Sequence, residues 1–78
     1  MKKHLKRRFL PSRLRFHRRA QDLTQKVLAE KVGIDQTYYS YIERGYRVPK
    51  IDLAWRICQV LDVSINEVFP AEIFEEAQ

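Results

Sequence analysis

Five residues between positions 36 and 44 have the types and spacing for nucleic-acid recognition. On a helical wheel at about 100° per residue, Thr37, Ser40, Tyr41 and Arg44 share one side, with Gln36 at its leading edge. Tyr39 and Ile42 fall on the opposite side, suited to a core. The outer face combines hydroxyls, an amide, an aromatic ring and a guanidinium, without a carboxylate. Such groups can donate to and accept from base edges, whereas a carboxylate would be repelled by phosphates. A basic loop follows, with Arg44, Arg47 and Lys50. We expect base contacts from Gln36, Thr37, Ser40, Tyr41 and Arg44, and backbone contacts from Tyr38, Arg47 and Lys50.

To hold these side chains, residues 36–43 must form a helix, and the chain before them must brace it. Thr24 is a suitable N-cap for a helix over 25–32, whose Leu28, Ala29 and Val32 face a core. Gly33 supplies the positive φ of a tight exit, and Asp35 caps the next helix. Two short helices joined by a three-residue turn make a helix-turn-helix. Small Ala29 stands where the two helices touch. Gln25, in the first turn of the earlier helix, is placed to grip a phosphate.

The rest of the chain supplies the support. Pro11-Ser12 opens a first helix over about 12–21, with Leu14, Arg18 and Gln21 along one stripe, and Asp22 stops it. A fourth helix over 51–61 carries Ile51, Ala54, Ile57, Cys58 and Leu61 at helical spacing, leaving Leu53 and Trp55 outside that stripe. Ser64 and Glu67 form a capping box for a short fifth helix, which Pro70 ends. With two glycines and little period-two alternation, the class is all-α. The expected organisation is a basic arm at 1–11, a DNA-binding domain at 12–70 and an acidic tail at 71–78.

Length and charge agree with that plan. Seventy-eight residues allow one domain. Of the 15 Lys and Arg residues, nine lie in residues 1–21 (Lys2, Lys3, Lys6, Arg7, Arg8, Arg13, Arg15, Arg18 and Arg19), with no acid among them. Residues 57–78 hold five acids and no Lys or Arg. A basic pole points to a polyanionic partner, so Lys2, Lys3, Lys6, Arg7 and Arg8 are expected on the DNA backbone or in the minor groove. The single cysteine, Cys58, rules out an intramolecular disulfide and a cysteine-built metal site. No phosphate loop, partnered nucleophile or paired acids are present, so neither an enzyme, a cofactor nor a small-molecule ligand is expected. No apolar run is long enough for a secretory leader or a membrane span, and the expected location is cytoplasmic.

The stretch Leu23-Thr24-Gln25, Leu28-Ala29, Val32-Gly33-Ile34, Ile42-Glu43-Arg44-Gly45, Pro49 and then Leu61-Asp62-Val63-Ser64 to Phe69 resembles the lambda-repressor/Cro (XRE-type) helix-turn-helix family over about residues 13–69. The resemblance implies a five-helix phage-repressor-like domain whose third helix enters the major groove, usually as a dimer. It also implies a structural pair between Arg18 and Glu43, and puts Tyr39, Cys58 and His17 at structural positions. Departures from the family pattern are Val27, which breaks the box begun by Thr24, Lys50 in place of a hydroxyl cap, and Asp22 and Asp62 where glycine is preferred.

The function expected is a sequence-specific transcriptional regulator, a repressor or controller on a palindromic operator. The alternatives are an antitoxin-type interaction module and a nonspecific nucleic-acid binder. One recognition helix reads few base pairs, so a homodimer is expected, its interface placed on Trp55, Val68, Phe69, Ile73 and Phe74; the alternative is that Phe69 completes the core while Ile73 and Phe74 fold back over the fourth or first helix.

Overall fold

The computed structural model describes residues 12–76 of the chain, and among them there are helices and no strands. The arm residues Lys2, Lys3, Lys6, Arg7 and Arg8 lie outside the described residues. In chain order the helices are α1 (Ser12–Ala20), α2 (Gln25–Val32), α3 (Gln36–Glu43), α4 (Ile51–Leu61), α5 (Ile65–Val68) and α6 (Ala71–Glu76).

Local chemistry sets the boundaries of the two helices that matter most. Thr24 is extended (φ −81°, ψ 163°), and its hydroxyl accepts from the Val27 N–H at 3.1 Å, which starts α2. Gly33 ends it at φ 80°, donating its N–H to the carbonyls of Ala29 and Glu30. The Asp35 carboxylate accepts from the Thr37 N–H at 2.8 Å and starts α3 three residues after α2 stops. Lys50 precedes α4 without a side-chain cap. Asp22 and Asp62 hold the left-handed conformation at φ 56° and 59°.

Around this pair the core closes from both sides. Helix α2 packs on α3 and α4, while α1 packs on α3 and α5. Leu14, Leu28, Val32, Tyr39, Ile42, Ala54, Ile57, Leu61 and Phe69 are buried together. Tyr39 and Ile42 face inward, which turns the opposite face of α3 to solvent. Among the described residues no helix is long and apolar enough to cross a membrane.

The acidic C-terminal segment carries a sixth helix, α6, and Ile73 inserts into the core at 6% exposure. Phe74 is half-buried, its ring 6.2 Å from that of Phe69 in an edge-on contact. On α4, Leu53 is buried and Ile51 is exposed, the reverse of the expected stripe. α4 is covered by α2 on one side and α5 on another, so its buried arc is wider than one stripe and shifted from Ile51 toward Leu53.

Candidate nucleic-acid interface

The outward face of α3 forms one wall of a shallow depression of about 310 Å³. Its lining is Gln25, Gln36, Thr37, Ser40, Tyr41 and Arg44. The structure therefore brings together all five residues expected on base edges, and adds Gln25 from the start of α2. Gln36, Thr37 and Arg44 are exposed, whereas Gln25, Ser40 and Tyr41 are half-buried. No carboxylate lines the depression.

The loop after α3 is tied to Tyr41. The Tyr46 and Arg47 N–H groups donate to the Tyr41 carbonyl at 2.9 and 3.3 Å. The Tyr46 ring meets the Tyr41 ring edge-on at 6.4 Å, and the Arg47 guanidinium sits 6.0 Å from its centroid. Arg47 is thus held beside the open face of α3. Tyr38 and Lys50 are exposed and lie outside the depression's lining.

Behind the open face of α3 is a buried carboxylate. Glu43 closes α3 and is fully buried. Arg18 of α1 donates from Nε to its Oε2 at 2.7 Å and from Nη2 to its Oε1 at 3.1 Å. The third Arg18 nitrogen, Nη1, donates to the Leu23 carbonyl at 2.7 Å. The Tyr39 hydroxyl donates to Oε2 at 2.8 Å, and the Gln25 amide donates to Oε1 at 2.7 Å. Arg15 Nε stands 3.5 Å from Oε1. Both carboxylate oxygens are therefore satisfied, as a buried charge requires.

These contacts set the ionisation of the cluster. Burial pushes the Glu43 carboxyl up, but the hydrogen bonds from Arg18, Gln25 and Tyr39 outweigh it and hold it below the usual carboxylate value. The hydrogen bond to Glu43 raises Arg18 against its own burial. Burial, then the neighbouring Glu43 charge, raises the Tyr39 phenol well above its ordinary value. Away from the cluster, burial pushes the Cys58 thiol up to about 11, with the Glu67 charge adding to it.

Sequence reasoning paired Arg18 with Glu43 but missed the other partners. The Tyr39 contact had a signal, since residues four apart share a helix face. Arg15 also had a signal, one turn before Arg18 on the same helix face, whereas Gln25 reaches Glu43 from another helix and no spacing announces it. The expected interface residues need a correction too. Val68, Phe69 and Ile73 are buried in this chain's own core, so they offer no open surface to a second copy. Trp55 is 55% exposed and Ile51, one turn before it, is 58% exposed.

A short helix, a three-residue turn set by Gly33 and Asp35, and a second helix with an open polar face define a helix-turn-helix. The helix-turn-helix family model matches residues 14–68. The chain belongs to the XRE-type, or lambda-repressor/Cro-type, helix-turn-helix family, whose fold is that of DNA-binding transcription regulators and not of enzymes.

Among relatives, the chain is 32% identical over 60 residues to an uncharacterized HTH-type transcriptional regulator of Methanocaldococcus jannaschii, covering 77% of this chain and 91% of that one. It is 33% identical over 60 residues to the regulator YazB of Bacillus subtilis, covering 77% and 87% of the two chains. Among solved structures, the restriction-modification controller protein C.AhdI of Aeromonas hydrophila superposes with a TM-score of 0.70 at 34% identity, covering 76% of this chain and 89% of that one. SinR, a master regulator for biofilm formation solved in complex with DNA, superposes with a TM-score of 0.69 at 32% identity, covering 74% and 97%.

Proposed function

We propose that this chain is a sequence-specific transcription regulator that inserts α3 into the major groove of a palindromic operator. The observation that carries this reading is the depression formed by Gln36, Thr37, Ser40, Tyr41, Arg44 and Gln25 on the open side of α3. It offers hydrogen-bond donors and acceptors at base-pair scale and has no acidic group to repel phosphates. Gln25, Arg47, Lys50, Tyr38 and the arm's Lys2, Lys3, Lys6, Arg7 and Arg8 take the backbone. The relatives' naming as transcriptional regulators and the DNA bound to SinR support the same reading.

The chain acts as a homodimer on DNA. An eight-residue helix reads only a few base pairs, and two copies roughly 34 Å apart would read two half-sites on one face of the duplex. The exposed pair Ile51 and Trp55, with the half-buried Phe74, offers apolar surface for pairing. The test is selection from a random duplex library, followed by sedimentation of the protein with the enriched duplex. Two chains per palindromic duplex are expected. One chain per duplex would overturn the dimer, and failure to enrich any sequence would overturn specific recognition.

A further inference from the structure

Glu43 carries one negative charge, and Arg18 already neutralises it with two short hydrogen bonds. Gln25 and Tyr39 occupy what remains of its accepting capacity. Arg15 nonetheless stands beside the same carboxylate, with Nε 3.5 Å from Oε1, beyond the range of a strong hydrogen bond. Its side chain is 45% exposed. The cluster of Arg15, Arg18 and Glu43 therefore has an uncompensated positive charge, and that charge sits on the solvent side. Oε1 is also the atom that holds the Gln25 amide, so Arg15 and Gln25 share one anchor, and Gln25 in turn lines the depression.

Chemistry fixes the direction of the Gln25 amide. A buried carboxylate in this arrangement accepts only, so the amide meets it through Nε2. One Nε2 hydrogen is used there, and the second remains to serve another acceptor. Beside it stands a guanidinium with unused donors. Two donors, one of them cationic, next to a groove that lacks carboxylates make a site for a tetrahedral oxyanion.

We propose that Arg15 joins Gln25, already expected on the backbone, in binding one DNA phosphate, with Glu43 acting as the positioning residue for both. This rests on the operator-binding reading above, and it adds a phosphate contact from α1. Arg15 is then a backbone contact of the folded domain, distinct from the arm. The anion completes the cluster's charge balance, which explains why a second arginine sits beside an already paired carboxylate.

The test compares Arg15→Gln with Arg13→Gln. Arg13 is on the same helix, but its Nη1 donates to the Glu67 carbonyl at 3.0 Å, so it loses the same charge without touching the site. Affinity is measured across a salt series for the library-selected duplex and for a scrambled duplex. Arg15→Gln should weaken both about equally, by roughly tenfold at low salt, and reduce the salt slope by about one per bound chain. Arg13→Gln should leave the slope within error of wild type. Equal slopes for wild type and Arg15→Gln, or the same reduction in both variants, would overturn the proposal while leaving operator binding intact. A wild-type chain that binds no duplex would overturn both, so the two failures read differently.

Discussion

Arg18 and Glu43, 25 residues apart in sequence, meet through two hydrogen bonds of 2.7 and 3.1 Å and join α1 to the last residue of α3. The pair is buried, and the Tyr39 hydroxyl and Gln25 amide complete its shell. This cluster sets how α3 sits on the body of the domain. It couples an internal packing requirement to the depression beside α3, because Gln25 lines that depression and is held by Glu43.

Breaking that pair from one side should be severe. Glu43→Ala leaves Arg18 and the Tyr39 hydroxyl buried without a carboxylate, and should cost about 3–5 kcal/mol. The triple variant Arg18→Met, Glu43→Leu, Tyr39→Phe removes both buried charges and the buried hydroxyl at once, leaving only the half-buried Gln25 amide to be solvated, and should recover much of the loss. Urea unfolding midpoints measure this. A triple variant as unstable as Glu43→Ala would show that packing, and not desolvated charge, dominates.

Acid should unfold the domain partly through Glu43. Its carboxyl is held below the ordinary value in the folded state. Below both values the proton is bound in either state, so the contribution is absent there. It is full above the ordinary carboxylate value, and is lost as pH falls through that value toward the folded one. Urea midpoints between pH 7 and 3 should fall less steeply for Glu43→Gln than for the parent protein. Parallel profiles would contradict the assignment.

The thiol of Cys58 should be inert in the native protein. It is buried, and its pKa is pushed up to about 11. At pH 8, iodoacetamide should label it at the rate of unfolding, and rapidly in denaturant. Labelling of the native chain at the rate of a free peptide would show that α4 opens locally.

Glycine should stabilise the two turns that aspartate now occupies. Asp22 and Asp62 have φ of 56° and 59°, where a Cβ is unfavourable. Asp22→Gly and Asp62→Gly should each raise stability by a few tenths to about 1 kcal/mol. A loss in either variant would mean that its carboxylate has a role in the folded state.

The sequence was most informative where one residue decides a local choice. Thr24, Gly33 and Asp35 marked the edges of α2 and α3, and the wheel placed Tyr39 and Ile42 inward. It was least informative where several distant segments meet. Leu53 is buried because both α2 and α5 cover α4, which a single stripe does not encode. Ile73 and Phe74 were legible as excess apolar surface that could either pair with a second copy or fold back, and the structure has Ile73 folded onto the same core. Of the Glu43 cluster, family resemblance supplied Arg18, helix spacing puts Arg15 on the same face, and Gln25 needed the tertiary fold to bring α2 and α3 together.

The central claim is that the open face of α3 reads base sequence. The most direct test is the ratio of affinities for the library-selected duplex and a scrambled duplex, measured for the parent protein, Gln36→Ala and Arg44→Ala. Both side chains are exposed, so the helical circular dichroism should be unchanged. We predict that discrimination falls by about 1–3 kcal/mol in each variant, with the changes confined to the same one or two base pairs of each half-site. An unchanged ratio in both variants, with affinity for the two duplexes falling together, would contradict base reading by α3.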